Sequence, residues 1–218
     1  MTESPTLAED LLLLLFQPRS GTIAGENTLF YVLGGAVVAE LALDGRVDAN
    51  GAKVSAVADR APSDDILRSA WDYVAEKPRN VQTVLAAVGP RLRGPLLERL
   101  VARGDLRRTR RRTLGLFNRT VLEDGGRRAG LLADVRDVLV NGAEPQPRVA
   151  VLGALLSASG TLPQFDPEIP WTTPVITRAK ELERGNWGAG AAAEAVTRTV
   201  TATIVNNVVV ATAVIPRG

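Results

Sequence analysis

Helix punctuation most constrains what this chain can fold into. Thr6 followed by Glu9 fits a capping box that opens a short helix running through Phe16. Gln17 to Gly25 reads as a loop around Pro18 and Gly21. Thr28 to Leu43 is an apolar-rich helical run closed by Asp44-Gly45, and Gly34-Gly35 within it points to close helix packing or a local weakening. Pro62-Ser63-Asp64-Asp65 starts a helix to about Glu76, with Ile66, Leu67, Trp71 and Val74 on one face, and a second short helix covers Asn80 to Val88. Gly89-Pro90 breaks the chain before a helix from about Leu92 to Arg103, which Gly104 ends at a left-handed cap position. After Gly125-Gly126 come helical blocks over roughly 128–140, 148–158 and 174–184, then a C-terminal helix of roughly 189–214.

Only two stretches turn strand-like. Arg46-Val47-Asp48 and Lys53 to Val57 flank Asn50-Gly51, a type I′ hairpin signal. Leu106 to Leu122 reads as a second hairpin with its tip in Arg110 to Arg112. The expected fold is mainly α: a single compact helical domain over residues 1–218 with two small β-hairpins, one of them Arg-rich and protruding.

The residues the chain lacks narrow its chemistry. It has no Cys, which excludes disulfides, Cys-ligated zinc, iron–sulfur clusters and thiol nucleophiles. It has no His, which removes the usual general base and the commonest metal ligand. An enzyme would have to work with Asp, Glu, Lys, Tyr or Arg alone, and no catalytic constellation stands out. Asp64-Asp65 reads as a helix cap. Gly34-Gly35 and Gly188-Ala189-Gly190 lack the strand and spacing of a phosphate loop. The expectation is no enzymatic activity, no metal and no cofactor. Trp71 is assigned to the core; Trp171 and Trp187 have no assignment.

No segment reads as a membrane span or an address. Glu3, Glu9 and Asp10 stand where a signal peptide needs positive charge, and Leu11 to Phe16 is too short to span. Val200 to Ile215 is apolar but carries Asn206, Asn207 and threonines, so it reads as a buried helix or a strand-prone end. A cytoplasmic protein with, at most, peripheral membrane contact is expected.

Charge is lopsided along the chain. Residues 91–128 hold twelve Arg against Glu98, Asp105, Glu123 and Asp124, a local net of +8, while the remaining residues sum to −6. Such a distribution implies an anionic partner: nucleic acid, a phospholipid headgroup or an acidic protein. On the Leu92–Arg103 helix, Leu92, Leu96, Leu97, Leu100 and Val101 make an apolar face, which leaves Arg91, Arg93, Arg99 and Arg103 toward the edges and solvent. The hairpin adds Arg107, Arg108, Arg110, Arg111 and Arg112, with Leu114, Leu116 and Phe117 as an apolar element beside them. Five cations in six positions repel one another unless an anion joins them. Converging guanidinium groups bind phosphate through charge-assisted, often bidentate hydrogen bonds. A helix followed by an Arg-rich hairpin also fits the back half of a winged helix tracking a nucleic-acid backbone, although Leu92 to Arg103 offers no Asn, Gln, Ser or Thr to read bases.

Several segments resemble the Golgi phosphoprotein 3 family, including its bacterial members. They are Glu9-Asp10-Leu11-Leu12-Leu13-Leu14, Gly35 to Arg46 with its Glu40-Leu41-Ala42-Leu43-Asp44-Gly45-Arg46 core, Leu100 to Leu106, the hairpin with Leu114-Gly115-Leu116-Phe117, and Ala154 to Ala158. The resemblance implies a mostly helical, non-enzymatic adaptor that binds phosphatidylinositol 4-phosphate through a basic pocket. In the eukaryotic members it sits on the cytosolic face of the Golgi and holds client glycosyltransferases by their tails. It also implies an apolar hairpin tip, here Leu114, Leu116 and Phe117, that inserts into membrane or forms homo-oligomers. The family's pocket arginine falls at Gly34 and its pocket tryptophan near Gly25 or Glu26, so both are missing. Its arginine pair falls near Pro90 and Arg93, with Arg91 as a substitute. Shallow discrimination among headgroups follows.

Overall fold

The capping box at the start of the chain forms as its sequence predicts: Thr6 Oγ1 accepts from Glu9 N–H at 3.2 Å, and Glu9 Oε2 accepts from Thr6 N–H at 2.7 Å. It opens α1 (Leu7–Leu15), all of whose residues are buried. The structure, a computed structural model, describes residues 4–113, 117–185, 187 and 190–213, and gives the backbone alone for 111–113, 117–119 and 209–213. Among the described residues the fold is mainly α, with small antiparallel sheets of two or three strands.

The α-helices after α1 are α2 (Leu29–Leu43), α3 (Asp65–Ala75), α4 (Val81–Val88), α5 (Arg93–Arg103), α6 (Arg127–Val140), α7 (Pro147–Ala158), α8 (Thr173–Glu183) and α9 (Ala191–Ala213). Their bounds follow the caps and breaks in the sequence. Asn80 caps α4 by accepting from Gln82 N–H at 2.9 Å. Gly104 closes α5 at φ 84°, a left-handed backbone that glycine adopts without strain.

α2 occupies the centre. It is apolar around most of its circumference, and such a helix needs neighbours on most sides. Helices α1, α3, α4, α7 and α9 supply them. The stretch Glu26–Leu43 is long and apolar enough to cross a membrane, yet 67% of it is buried inside the bundle. Gly35 is where α9 comes closest: a Cβ there would meet Val200 Cγ1 at 2.8 Å and Ile204 Cδ1 at 2.9 Å. Close packing is therefore what the Gly34-Gly35 pair serves. Val196, Val200 and Ile204 of α9 are buried, as expected of a core helix.

Three expectations need correction. The loop after α1 contains a small strand pair, β1 (Phe16–Gln17) with β2 (Thr22–Ile23). In the first predicted hairpin, β3 (Val47–Asn50) pairs with β4 (Lys53–Ala56), and β5 (Arg79–Asn80) adds a third strand. Asn50 pairs with Lys53, so the turn is Gly51-Ala52; only Gly51 is left-handed, at φ 59°, which rules out the type I′ turn. In the second hairpin, β6 (Leu106–Thr113) pairs with β7 (Phe117–Asp124) along their whole lengths. Arg110, Arg111 and Arg112 lie opposite Thr120, Arg119 and Asn118, inside the ladder and not at the tip. β-branched and aromatic residues on the return strand extend the pairing past the arginine run. The strands join through Leu114, Gly115 and Leu116, which lie outside the described residues.

Candidate functional site

Helix α5 and the β6–β7 hairpin build the basic region. Leu92, Leu96 and Leu100 are buried and Leu97 and Val101 partly so, which fixes α5 to the body by its apolar face. Leu106 at the base of β6 is fully buried. Alternation along the strand then puts Arg108 and Arg110 on the face of Leu106, and Arg107 on the opposite face with half-buried Thr109. Arg108 reaches back to α5, donating from Nη1 to Glu98 Oε2 at 3.1 Å and from Nη2 to Glu98 Oε1 at 2.5 Å. That pair holds the Glu98 carboxyl below its usual range. One of the three described hairpin cations, Arg107, Arg108 and Arg110, therefore has a structural partner. Arg107 and Arg110 are exposed and make no ion pair among the described residues. The side chains of Arg111, Arg112 and Phe117, like Leu114 and Leu116, lie outside the described residues.

The other arginines of the stretch are not one surface. Arg99 donates to Asp64 Oδ2 at 2.6 Å and also binds Asp65. Arg103 donates to Glu9 Oε1 at 3.0 Å and pairs with Asp105. Arg127 donates to Asp10 Oδ1 at 2.5 Å and pairs with Asp105 at 2.9 Å. Arg128 donates to the Leu14 carbonyl at 3.2 Å and lies over the Phe165 ring. The expectation that Arg99 and Arg103 point to solvent is overturned: their side chains are about one quarter exposed.

The Arg103 and Arg127 contacts belong to a buried ionic hub that the sequence reading missed. Glu9, Asp10, Glu40 and Asp105 are all buried. Arg148, on α7, joins the hub by donating to Asp10 Oδ2 at 2.8 Å, to Glu40 Oε1 at 3.1 Å and to the Pro5 carbonyl at 2.5 Å. Glu40 also accepts from Leu7 N–H at 2.8 Å, satisfying one free donor of the α1 N-terminus. Burial pushes the Glu40 carboxyl up to about 7, against the opposing pull of Arg148. Unusual acids inside apolar runs, Glu9-Asp10 before the leucines and Glu40 within α2, were the available signal.

The helix arginines Arg91 and Arg93 diverge into two clefts. Arg91 lines one of about 440 Å³ with Asp65, Ser69, Tyr73, Ile66 and Leu92. It makes no ion pair among the described residues. Arg93 lines the other, of about 350 Å³, with Glu26, Leu29, Phe30, Gly89 and Pro90, and pairs with Glu26 at 2.6 Å. Gly34 does not line this cleft; a Cβ added there would meet Leu85 Cα at 3.4 Å and Gly89 Cα at 3.5 Å. Of the positions that the resemblance aligned with a headgroup pocket, Glu26, Pro90 and Arg93 line this cleft, while Gly25 and Gly34 do not and Arg91 lines the other. A carboxylate stands there opposite the remaining arginine.

Fold and site together define a mainly α protein whose central apolar helix is tied by buried arginine–carboxylate pairs and whose periphery carries a basic hairpin. The chain belongs to the Golgi phosphoprotein 3 (GPP34) family, whose family model matches residues 7–199. That family is one of non-enzymatic adaptors associated with the Golgi. No curated protein matches the chain.

Proposed function

We propose that the protein is a non-enzymatic peripheral membrane adaptor that binds anionic phospholipid headgroups through its hairpin, with Arg91 contributing from the neighbouring helix. One observation carries this reading. In a region where Arg99, Arg103, Arg127 and Arg128 are engaged by the protein itself, Arg107 and Arg110 extend on an exposed ladder without an acidic partner among the described residues. Each basic side chain near an anionic surface contributes on the order of 1 kcal/mol. Arg111 and Arg112 add to the same run, while Leu114, Leu116 and Phe117 supply apolar side chains at the hairpin's end for insertion or self-association. A phosphatidylinositol 4-phosphate preference has less support, because Gly34, and Gly25 or Glu26, stand where that preference needs an arginine and a tryptophan. Client proteins held at the membrane complete the adaptor reading.

Co-sedimentation with vesicles of phosphatidylcholine containing phosphatidylglycerol, beside a duplex-DNA gel shift at the same ionic strength, tests it. Retention on anionic vesicles with weak DNA binding is expected. Tight DNA binding without vesicle retention would transfer the hairpin to nucleic acid. Salt weakens both, so salt dependence alone does not separate them.

A further inference from the structure

The cleft at Arg93 carries one charge of each sign. Glu26 and Arg93 pair at 2.6 Å with about half of each side chain exposed to water (51% and 50%). An ion pair so exposed is weak and opens at little cost. Around it stand Leu29, Phe30, Gly89 and Pro90, an apolar wall with no second cation. A pure polyanion fits this arrangement poorly, because any phosphate seated on Arg93 lies within reach of the Glu26 carboxylate. A ligand with a phosphate and an ammonium a short spacer apart satisfies both groups when the pair parts.

Resting on the membrane reading above, we propose that this cleft takes a zwitterionic phosphodiester bearing a primary ammonium, the phosphoethanolamine headgroup, with the phosphate on Arg93 and the ammonium on Glu26. The guanidinium fork matches two phosphate oxygens. A primary ammonium donates up to three hydrogen bonds and so reaches the Glu26 oxygens directly, whereas the quaternary ammonium of a choline headgroup donates none. Half-buried Phe30 lines the same cleft, where an aromatic face can attract an ammonium. In this arrangement the hairpin senses surface charge and the cleft selects the lipid.

Two arms separate this inference from the membrane reading. In the first, soluble glycerophosphoethanolamine, glycerophosphocholine and inorganic phosphate are titrated into the full-length chain, following the backbone amide signals of Leu29, Phe30 and Gly89. Saturable shifts at a concentration at least fivefold lower for glycerophosphoethanolamine are expected. Equal responses to all three, or none, overturn the proposal. Glu26→Gln removes the negative charge that holds the ammonium, leaving a neutral amide oxygen, without touching a buried group; it is expected to abolish the ethanolamine preference and strengthen the phosphate response. A preference surviving Glu26→Gln also overturns the proposal. Arg93→Ser is the second variant and is expected to lose both responses. In the second arm, vesicles of fixed phosphatidylglycerol content have phosphatidylcholine replaced by phosphatidylethanolamine. Retention of the unmodified protein is expected to rise severalfold, and that of Glu26→Gln to stay level. Retention that ignores the replacement overturns the cleft assignment while the membrane reading stands. No retention on any vesicle, with the soluble preference intact, overturns the membrane reading and leaves the cleft.

Discussion

Arg103 and Arg107 are four residues apart and occupy opposite environments. Arg103, at the end of α5, is turned inward to Glu9 and Asp105. Arg107, one residue into the ladder of β6, is exposed and has no ion pair among the described residues. The division holds across the two regions they represent. In the hub, Arg103, Arg127 and Arg148 meet four buried carboxylates; of the described hairpin cations Arg107, Arg108 and Arg110, only Arg108 pairs with an acid, and that acid is on the surface. The same side chain thus serves as an internal tie and as a free cation. What decides between the two roles is where the fold delivers acids. Glu9 and Asp10 arrive on α1 and Glu40 on α2, elements remote in sequence from the arginines they engage. Clustering of arginines along a chain therefore does not measure the charge available to a partner.

The hub offers the harshest test of that contrast. Arg148→Met removes the cation shared by Asp10 and Glu40 and leaves two buried carboxylates short of a partner. Breaking a buried pair in this way typically costs about 3–5 kcal/mol. Arg148 is 39% exposed and water can enter behind it, so about 2–4 kcal/mol is expected. A fall of roughly 5–15 °C in the thermal midpoint would show it by calorimetry. A change below a couple of degrees would mean that the hub is no more consequential than a surface network.

The hairpin should respond in the opposite sense. Replacing Arg107, Arg108, Arg110, Arg111 and Arg112 by Ser is expected to leave the thermal midpoint unchanged or slightly raised, since the one ion pair lost among the described residues is the exposed Arg108–Glu98 pair. Vesicle binding should fall by well over tenfold, because half of about 1 kcal/mol per charge already suffices. Large destabilisation with unchanged binding would reverse the roles assigned to the two regions.

Glu40 links the hub to pH. Its folded carboxyl titrates at about 7 where an ordinary glutamate titrates at 4.5, so between those values the folded state holds a proton that the unfolded chain has released. The stability associated with neutral Glu40 is full below about 4.5 and is lost as pH rises through 7. Between pH 5.5 and 8 the protein should lose on the order of 2 kcal/mol, read as a falling midpoint, and Glu40→Gln should flatten the curve. A midpoint that rises with pH over this window would mean that Arg148 outweighs burial.

Most of the fold was legible, and the reasons are local. Thr6-Glu9, Asn80, Gly104 and Gly125-Gly126 act on the backbone within a turn of themselves, and helix bounds came out within a few residues. The hairpin tip was misplaced because strand length depends on cross-strand partners such as Thr120 opposite Arg110, which no local signal specifies. The site divides in the same way. Alternation about Leu106 predicts an exposed Arg107, whereas Arg110 shares the face of buried Leu106 and its exposure does not follow from alternation. That Arg99 and Arg103 would be consumed by Asp64 and Glu9 depends on pairings 35 and 94 residues apart. Glu26 opposite Arg93 was likewise visible only as a missing tryptophan until the two elements met.

The smallest test lies in one dipeptide. Asp64 and Asp65 are adjacent acids at the start of α3, and both contact Arg99. Asp64 is the N-cap, its Oδ1 accepting from Ile66 N–H at 2.9 Å and Leu67 N–H at 3.0 Å, and its side chain is 12% exposed. Asp65 is 85% exposed. The cap satisfies Leu67 N–H alone and shares Ile66 N–H with Asp65 Oδ1 at 2.9 Å, and its loss typically costs about 1 kcal/mol, up to 2. An exposed pair contributes a few tenths to about 1 kcal/mol. Asp64→Ala should therefore lower stability by about 1–2 kcal/mol and Asp65→Ala by less than about 0.5 kcal/mol, measured by urea unfolding at matched slopes. Asp64→Ala also leaves Arg99 with only the exposed Asp65 as partner and so moves a tied arginine toward those of the hairpin. If vesicle binding then rises while stability falls, the contrast between tied and free arginines is set by the acids the fold delivers and not by position along the chain. Equal losses for the two variants would instead mean that Arg99, and not the cap, fixes α3 against α5.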